Sequence, residues 1–164
     1  MEEQPAFVCD AMLGGLARWL RAAGYDAWFD VHVQDGELVR RALEAGRCLL
    51  TSDTGILGRY AVSEGLVRCV FVPLGLTTMQ QLAHVLRALD LPVRDSRCMD
   101  CGGELTGAAL DEVAAEVPPK VKEACSEFYR CAGCRKVYWR GTHWQSIQRR
   151  LREALEKGGE KAVG

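Results

Sequence analysis

The 164-residue sequence contains no apolar run that approaches the roughly 20 residues needed by a membrane-spanning helix. Its first five residues lack the charged-then-apolar layout of a secretory leader. There is no internal repeat or low-complexity tract, and the glycines at Gly14 and Gly15 complete no phosphate-binding loop motif. These absences favour a cytoplasmic protein with no membrane partner, made of one ordinary domain and a small module.

Charge is distributed unevenly along the chain, although the formal net charge is only -1. Residues 1–127 carry 12 Lys and Arg against 19 Asp and Glu, whereas residues 128–152 carry seven basic residues and no acidic one. This basic segment also contains aromatic residues, so Arg140 and Trp139 are predicted to contact the phosphates and unpaired bases of a nucleic acid. The alternative is that the aromatic residues pack the module and the arginines only solubilise its last helix.

Five of the eight cysteines lie between positions 98 and 134. Cys98 with Cys101 and Cys131 with Cys134 form two Cys-x-x-Cys pairs, which is the spacing of a four-sulfur zinc site. Four thiolates leave no open position for water or substrate, so this zinc is predicted to be structural. Two disulfides or a redox pair are the alternatives, and Cys125 has no partner at ligand spacing.

Short apolar runs alternate with helical patterns over the first two thirds of the chain. The predicted strands are residues 6–9, 27–29, 48–50 and 67–72, and helical spacing or a turn follows each of them. Such alternation implies an α/β fold, with a parallel sheet covered on both sides by helices. We therefore expect an α/β domain over residues 1–94. A zinc module over residues 95–164 is expected to contain a helix-capable insert at 106–127 and to end in a basic helix.

Acidic residues follow two of the predicted strands. Asp10 follows the first and Asp53 the third, and ligand sites in open α/β sheets gather at the carboxyl ends of strands. Asp35 and Glu37, at the start of the second helix, can approach from the side. Such a cluster would repel itself unless Mg²⁺ or Mn²⁺ bound there. The alternative is that Asp53 and Asp35 cap the helices that they precede.

Two arginines are candidates for holding a phosphate. Arg18 and Arg21 lie three residues apart on the first predicted helix, on the face away from Leu16 and Leu20. From there they could reach a phosphate near Asp10. The alternative is a solvated helix face.

Three stretches of the sequence together resemble one protein family: residues 7–21 (FVCDAMLGGLARWLR), 47–53 (RCLLTSD) and 129–144 (YRCAGCRKVYWRGTHW). The chain looks like the PIN-like ribonuclease domain found at the C-terminus of the mut-seven exonuclease and as free-standing prokaryotic proteins. In that family a PIN-type α/β domain is followed by a zinc ribbon. The resemblance runs from about residue 6 to residue 152.

The resemblance implies a PIN-like fold whose active members hydrolyse RNA with a carboxylate cluster and Mg²⁺ or Mn²⁺. Matched by motif, Asp10 is the first acid, Asp53 the strand-end acid, and Glu37 or Asp35 the helix-borne partner. In one departure, Ser52 stands where the family pattern commonly has arginine before the acid. A non-catalytic RNA- or protein-binding module and a small-molecule phosphohydrolase remain as alternatives, since fold does not fix function.

Overall fold

The computed structural model of the protein describes residues 3–157. Its first sheet has four strands, β1 (Phe7–Cys9), β2 (Ala27–Phe29), β3 (Cys48–Thr51) and β4 (Cys69–Phe71). All are parallel, in the order β2-β1-β3-β4, and the fold class predicted from the sequence is confirmed. Strand β4 is shorter than the predicted 67–72, because it lies at the edge of the sheet and pairs only with β3.

Helices cover both faces of this sheet. They are α1 (Gly14–Ala22), α2 (Asp35–Glu44), α3 (Thr54–Leu57), α4 (Tyr60–Ser63) and α5 (Thr78–Ala88). Because successive side chains of a strand point to opposite faces, Phe7 packs with α1 and α5 in one buried cluster. Its neighbour Val8 packs with α2 and α3 in another. The predicted two-sided arrangement is thus confirmed.

A second sheet contains the strands β5 (Leu105–Ala108), β6 (Phe128–Cys131) and β7 (Val137–Trp139). It is antiparallel, in the order β5-β6-β7, and the helices α6 (Leu110–Val113) and α7 (Pro119–Ala124) lie between its first two strands in the chain. The insert predicted at 106–127 therefore begins as a strand, because its first residues pair with β6. Val113, Val117 and Phe128 form a small buried cluster on this sheet.

The last helix, α8 (Thr142–Lys157), leaves the second sheet and returns to the first domain. Ile147 and Leu151 are buried in the same cluster as Phe7. The Arg87 guanidinium of α5 donates hydrogen bonds to the carbonyl oxygens of Ala154 and Leu155, at 3.2 and 2.7 Å. A domain boundary near residue 94 stays a prediction, and these contacts cross it.

The segment joining the two sheets lies against the end of α1. The carbonyl oxygens of Arg21, Ala22 and Ala23 accept hydrogen bonds of 2.6 to 2.9 Å from residues 94–97, which satisfies groups that a helix end otherwise leaves unpaired. Gly24 permits this approach, since a Cβ there would lie 2.6 Å from the Cβ of Arg94. Within residues 3–157, no helix is long and apolar enough to span a bilayer.

Candidate functional site

Four cysteine sulfurs converge beside the second sheet, and we call Cys98, Cys101, Cys131 and Cys134 the four-cysteine cluster. Their Sγ atoms all lie within 4.8 Å of one another, with 3.7 Å between Cys98 and Cys134. A tetrahedral zinc with bonds of about 2.3 Å requires sulfur separations of roughly 3.8 Å. All eight cysteines are free, so the disulfide alternative is wrong. The cluster can hold a zinc ion.

The cluster is formed by two loops, residues 98–103 and residues 131–134, which we call its first and second loops. Glycines allow these loops to close around the sulfurs. The amide groups of Gly103 and Gly133 donate to the Sγ atoms of Cys101 and Cys131, each at 3.3 Å. A Cβ at Gly103 would lie only 2.6 Å from the Sγ of Cys131. These amide contacts stabilise the thiolate form that binds metal.

Tyr138 of β7 supports the cluster from outside. Its hydroxyl group donates a hydrogen bond of 2.9 Å to the Sγ of Cys98. Burial opposes ionisation of Cys98, but this hydrogen bond and those from backbone amides outweigh it and lower its pKa to about 7. Burial and the same contact raise the pKa of Tyr138 above its usual range. Such outer hydrogen bonds orient and tune metal ligands.

Arg21, predicted to hold a phosphate, is buried instead. Its Nε donates to the carbonyl oxygen of Ala27 at 2.9 Å, and its Nη1 donates to those of Met99 and Asp100 at 3.1 and 2.9 Å. The alternative of a solvated helix face is therefore wrong for Arg21, because the first loop of the four-cysteine cluster covers that face of α1. Arg21 ties the first domain to the cluster.

Asp10 and Asp53 lie at the carboxyl ends of neighbouring strands, and we call this region the acidic edge. Asp10 is buried, with 7% of its surface exposed. Its Oδ2 accepts a 2.7 Å hydrogen bond from the hydroxyl group of Thr51, and its Oδ1 accepts one of 3.2 Å from the amide of Met12. The Thr51 oxygen in turn accepts from the Asp53 amide at 2.9 Å, so one hydroxyl links the two aspartates.

Basic side chains neutralise the two acids of α2. Asp35 forms an ion pair of 3.8 Å with Arg59, and Glu37 lies 2.6 Å from Arg40 and 3.1 Å from Arg41. The hydrogen bond from Arg40 is the main cause that lowers the pKa of Glu37. Among residues 3–157, no three carboxylates place oxygens within 4.8 Å of one another. The acids of the predicted cluster thus do not meet within that distance, and those of α2 are paired with arginines instead.

The capping alternative can be examined for Asp53 and for Asp35. Asp53 does cap α3, since its Oδ1 accepts a 2.8 Å hydrogen bond from the Gly55 amide, whereas Asp35 is already the first residue of α2.

Asp30 follows β2 at the same edge of the sheet, and its Oδ1 accepts a hydrogen bond from the His32 amide at 2.8 Å. Asp30 is not among the site residues predicted from the sequence. The recurrence of aspartate after three apolar runs was the available signal.

Arg18 and Trp139 line a common cavity of about 210 Å³ formed by α1, β7, α8 and the first loop of the four-cysteine cluster. We call this cavity the groove. Asp100 lies at its wall, where it contacts Arg18 at 3.6 Å and Lys136 at 2.5 Å. Neither aspartate of the acidic edge lines the groove. The structure thus places Arg18 and Trp139, two of the four predicted substrate residues, in a region separate from Asp10 and Asp53.

Arg140 does not line the groove, although it lies next to Trp139 in the chain. Its guanidinium lies 5.4 Å from the ring centre of Tyr129 and 5.7 Å from that of Trp144. It also forms an ion pair of 3.1 Å with Glu127. Arg140 therefore braces two aromatic rings, one of which lines the groove.

The fold and the sites together define an α/β domain with an acidic sheet edge, followed by a ribbon with a metal-binding cysteine cluster. Residues 5–151 match the family described as the Mut7-C RNAse domain, and the chain belongs to this family. A human protein named exonuclease mut-7 homolog is 25% identical over 229 aligned residues, which cover 91% of this chain and 26% of that protein. The chain thus spans about a quarter of the length of this curated relative. No solved structure matches it.

Proposed function

We propose that this protein is a ribonuclease that hydrolyses RNA phosphodiester bonds with the help of Mg²⁺ or Mn²⁺ held by Asp10 and Asp53. The buried side chain of Asp10 carries the proposal. Among residues 3–157, no ion pair joins Asp10 or Asp53 to a basic side chain, in contrast to Asp35 and Glu37. A buried ionised carboxylate is costly unless hydrogen bonds, a cation or a metal compensate it, and Asp10 accepts two hydrogen bonds but has no cationic partner among the described residues. Membership of an RNase domain family supports a nuclease role for this edge.

The side chains at the acidic edge suit a hard divalent cation. Mg²⁺ prefers oxygen ligands, keeps several waters and is usually held by only one or two carboxylates. Asp10 and Asp53, linked through Thr51, supply two such carboxylates. A third ligand from Asp35 or Glu37 requires that carboxylate to leave its arginine partner.

Each residue of the acidic edge has a distinct part in this proposal. Thr51 fixes the orientation of Asp10 through its short hydrogen bond, so one carboxylate is preorganised. Asp53 is exposed and can meet the substrate from the solvent side. When bound, the cation activates a water molecule and stabilises the departing oxygen. A zinc in the four-cysteine cluster has only a structural role in this scheme.

A second candidate function is a non-catalytic RNA- or protein-binding module. The ion pairs of Asp35 and Glu37 favour it, because they leave two acids rather than four available at the edge. The two candidates differ in whether divalent-dependent cleavage occurs at all.

Replacement of Asp10 by asparagine tests the proposal. The Asp10→Asn variant keeps the shape of the side chain and is expected to lose cleavage of a labelled single-stranded RNA in Mg²⁺ or Mn²⁺. Asp111→Asn, an exposed acid of α6, is the matched control and should cleave normally. Circular dichroism checks that both variants fold.

Two results would contradict the proposal. Unchanged cleavage by Asp10→Asn would place the chemistry elsewhere. Absence of divalent-dependent cleavage by the unmodified protein, across a panel of single-stranded and structured RNAs, would favour the binding module.

A further inference from the structure

We propose that the groove binds one unpaired base of the RNA, and that Arg18 and Lys136 hold the adjacent phosphate. This inference rests on the proposed function, since it takes RNA as the substrate. It adds a recognition site that is separate from the acidic edge.

The shape and the lining of the groove suit a single flat ring. Its volume of about 210 Å³ is below the range of about 300–1,000 Å³ typical of sites for drug-sized ligands. Half-buried Trp139 and Trp144 both line it, together with Tyr138 and Met99. Base–aromatic stacking tolerates any sequence because every base has a π-face. The groove is therefore expected to accept a base with little regard for its identity.

One ring of the aromatic wall has a cationic neighbour on its outer side. The contacts of Arg140 with Trp144 and Tyr129, and its ion pair with Glu127, restrain the Trp144 ring. Arg140 is thus a positioning residue for the groove. Less side-chain freedom remains to be lost when a base binds.

An acidic side chain already occupies the place where a phosphate would bind. Asp100 lies between Arg18 of α1 and Lys136, which precedes β7, so two cations from separate elements meet at one anion. A third basic residue of the lining, Arg97, is already paired with Glu104 at 3.7 Å. Arg18 and Lys136 therefore leave one positive charge in excess over Asp100, and an RNA phosphate can displace the Asp100 carboxylate.

One short single-stranded RNA can reach both the groove and the acidic edge. Helix α1 begins at Gly14, four residues after Asp10, and Arg18 lies about one helical turn further along. An RNA that extends along α1 can therefore contact both regions. The base bound in the groove would then determine which phosphodiester bond of the RNA lies at the acidic edge.

Binding of an intact single-stranded RNA and of the same RNA with abasic positions tests the base pocket directly. Fluorescence anisotropy in Ca²⁺ without Mg²⁺ or Mn²⁺ measures affinity separately from cleavage. We expect the abasic RNA to bind about tenfold more weakly. Trp144→Ala should weaken binding of the intact RNA by a similar factor and leave the abasic RNA unaffected. Tyr60→Ala, which removes an aromatic ring that is 74% exposed and lies outside the groove, should change neither affinity.

Charge variants test the phosphate contact. Asp100→Asn removes the competing anion and should strengthen RNA binding several-fold. Arg18→Ala should weaken binding and reduce the slope of log affinity against log salt by about 0.7, the value for one phosphate of a single strand. Circular dichroism and zinc content identify any variant that has lost its fold.

The outcomes separate this inference from the proposed function. Equal affinity for intact and abasic RNA, or RNA binding unaffected by Trp144→Ala, overturns the base pocket. RNA binding that is unaffected by Trp144→Ala is the result expected if the groove accepts an aromatic side chain of a partner protein. If cleavage nevertheless depends on Asp10, the proposed function stands alone. Base-dependent binding without any cleavage instead supports the proposal that the groove binds a base and contradicts the proposal that the protein is a ribonuclease.

Discussion

At the scale of single residues, Gly103 sets how closely the two loops of the four-cysteine cluster can approach. A methyl group at this position would meet the Cys131 sulfur at 2.6 Å, which no real Cβ contact allows. The conflict can be relieved only if the loops separate, and separation moves a metal ligand.

Gly103→Ala is therefore expected to reduce zinc retention and to lower the free energy of unfolding by about 1–3 kcal/mol. Zinc content after dialysis and thermal denaturation measure the two effects. Gly107→Ala is the matched control, because a Cβ on this β5 glycine meets no atom within 4 Å. Equal zinc retention by the two variants would show that the loops tolerate the added methyl group.

Single residues also show where sequence reasoning was limited. The Cys-x-x-Cys spacing identified the cluster because each pair is local in the chain. Arg21 was misplaced because its partners Met99 and Asp100 lie 78 and 79 residues away. Helical periodicity reports only that a face is polar, and it cannot tell a solvated guanidinium from one that binds backbone carbonyls.

At the scale of elements, α8 connects the two parts of the molecule. Leu151 is fully buried in the main cluster with Phe7 and Leu16, although it belongs to the region after the second sheet. Helix α8 thus packs its apolar residues Ile147 and Leu151 into the core of the first domain.

Leu151→Ala should lower the free energy of unfolding by about 2–5 kcal/mol, as expected for a buried leucine replaced by alanine. Leu110→Ala, where the leucine is 41% exposed, should cost much less. Urea denaturation followed by far-ultraviolet circular dichroism compares the two variants. A small effect of Leu151→Ala would mean that the first domain is stable without α8.

Elements with a local signal were predicted best. Each parallel strand is a short apolar run followed by its own helix, so the α/β fold and the positions of Asp10 and Asp53 followed from the sequence. Strand β5 was missed because its pairing with β6 crosses the α6–α7 insert. The ion pairs of Glu37 were not foreseen, although Arg40 and Arg41 lie three and four positions further along the same helix.

At the scale of the whole molecule, the four-cysteine cluster supports the second sheet and also connects it to the first domain. The core of that sheet is small: Val113, Val117 and Phe128 are buried, and partly buried side chains such as Val137 and Trp139 pack against them. Small cores rarely support a fold alone, and metal binding commonly supplies the missing free energy. Through Arg21 the first loop of the cluster is also hydrogen-bonded to α1 and β2.

Removal of zinc should therefore unfold the second sheet before the first. Hydrogen exchange after chelation is expected to lose protection in β5, β6 and β7 while β1 and β3 stay protected. Cys131→Ser should reproduce the metal-free pattern. Cys125→Ser, a half-buried cysteine outside the cluster, should behave like the unmodified protein.

The same treatment separates the two functional regions. The groove draws its wall from β7 and from the loop that carries Met99 and Asp100, whereas Asp10 depends on strands of the first sheet. Loss of zinc should thus weaken RNA affinity more than it disturbs divalent binding at the acidic edge. Retained protection in β5 to β7 after complete zinc removal would instead mean that the second sheet folds without metal, and that the cluster has another role.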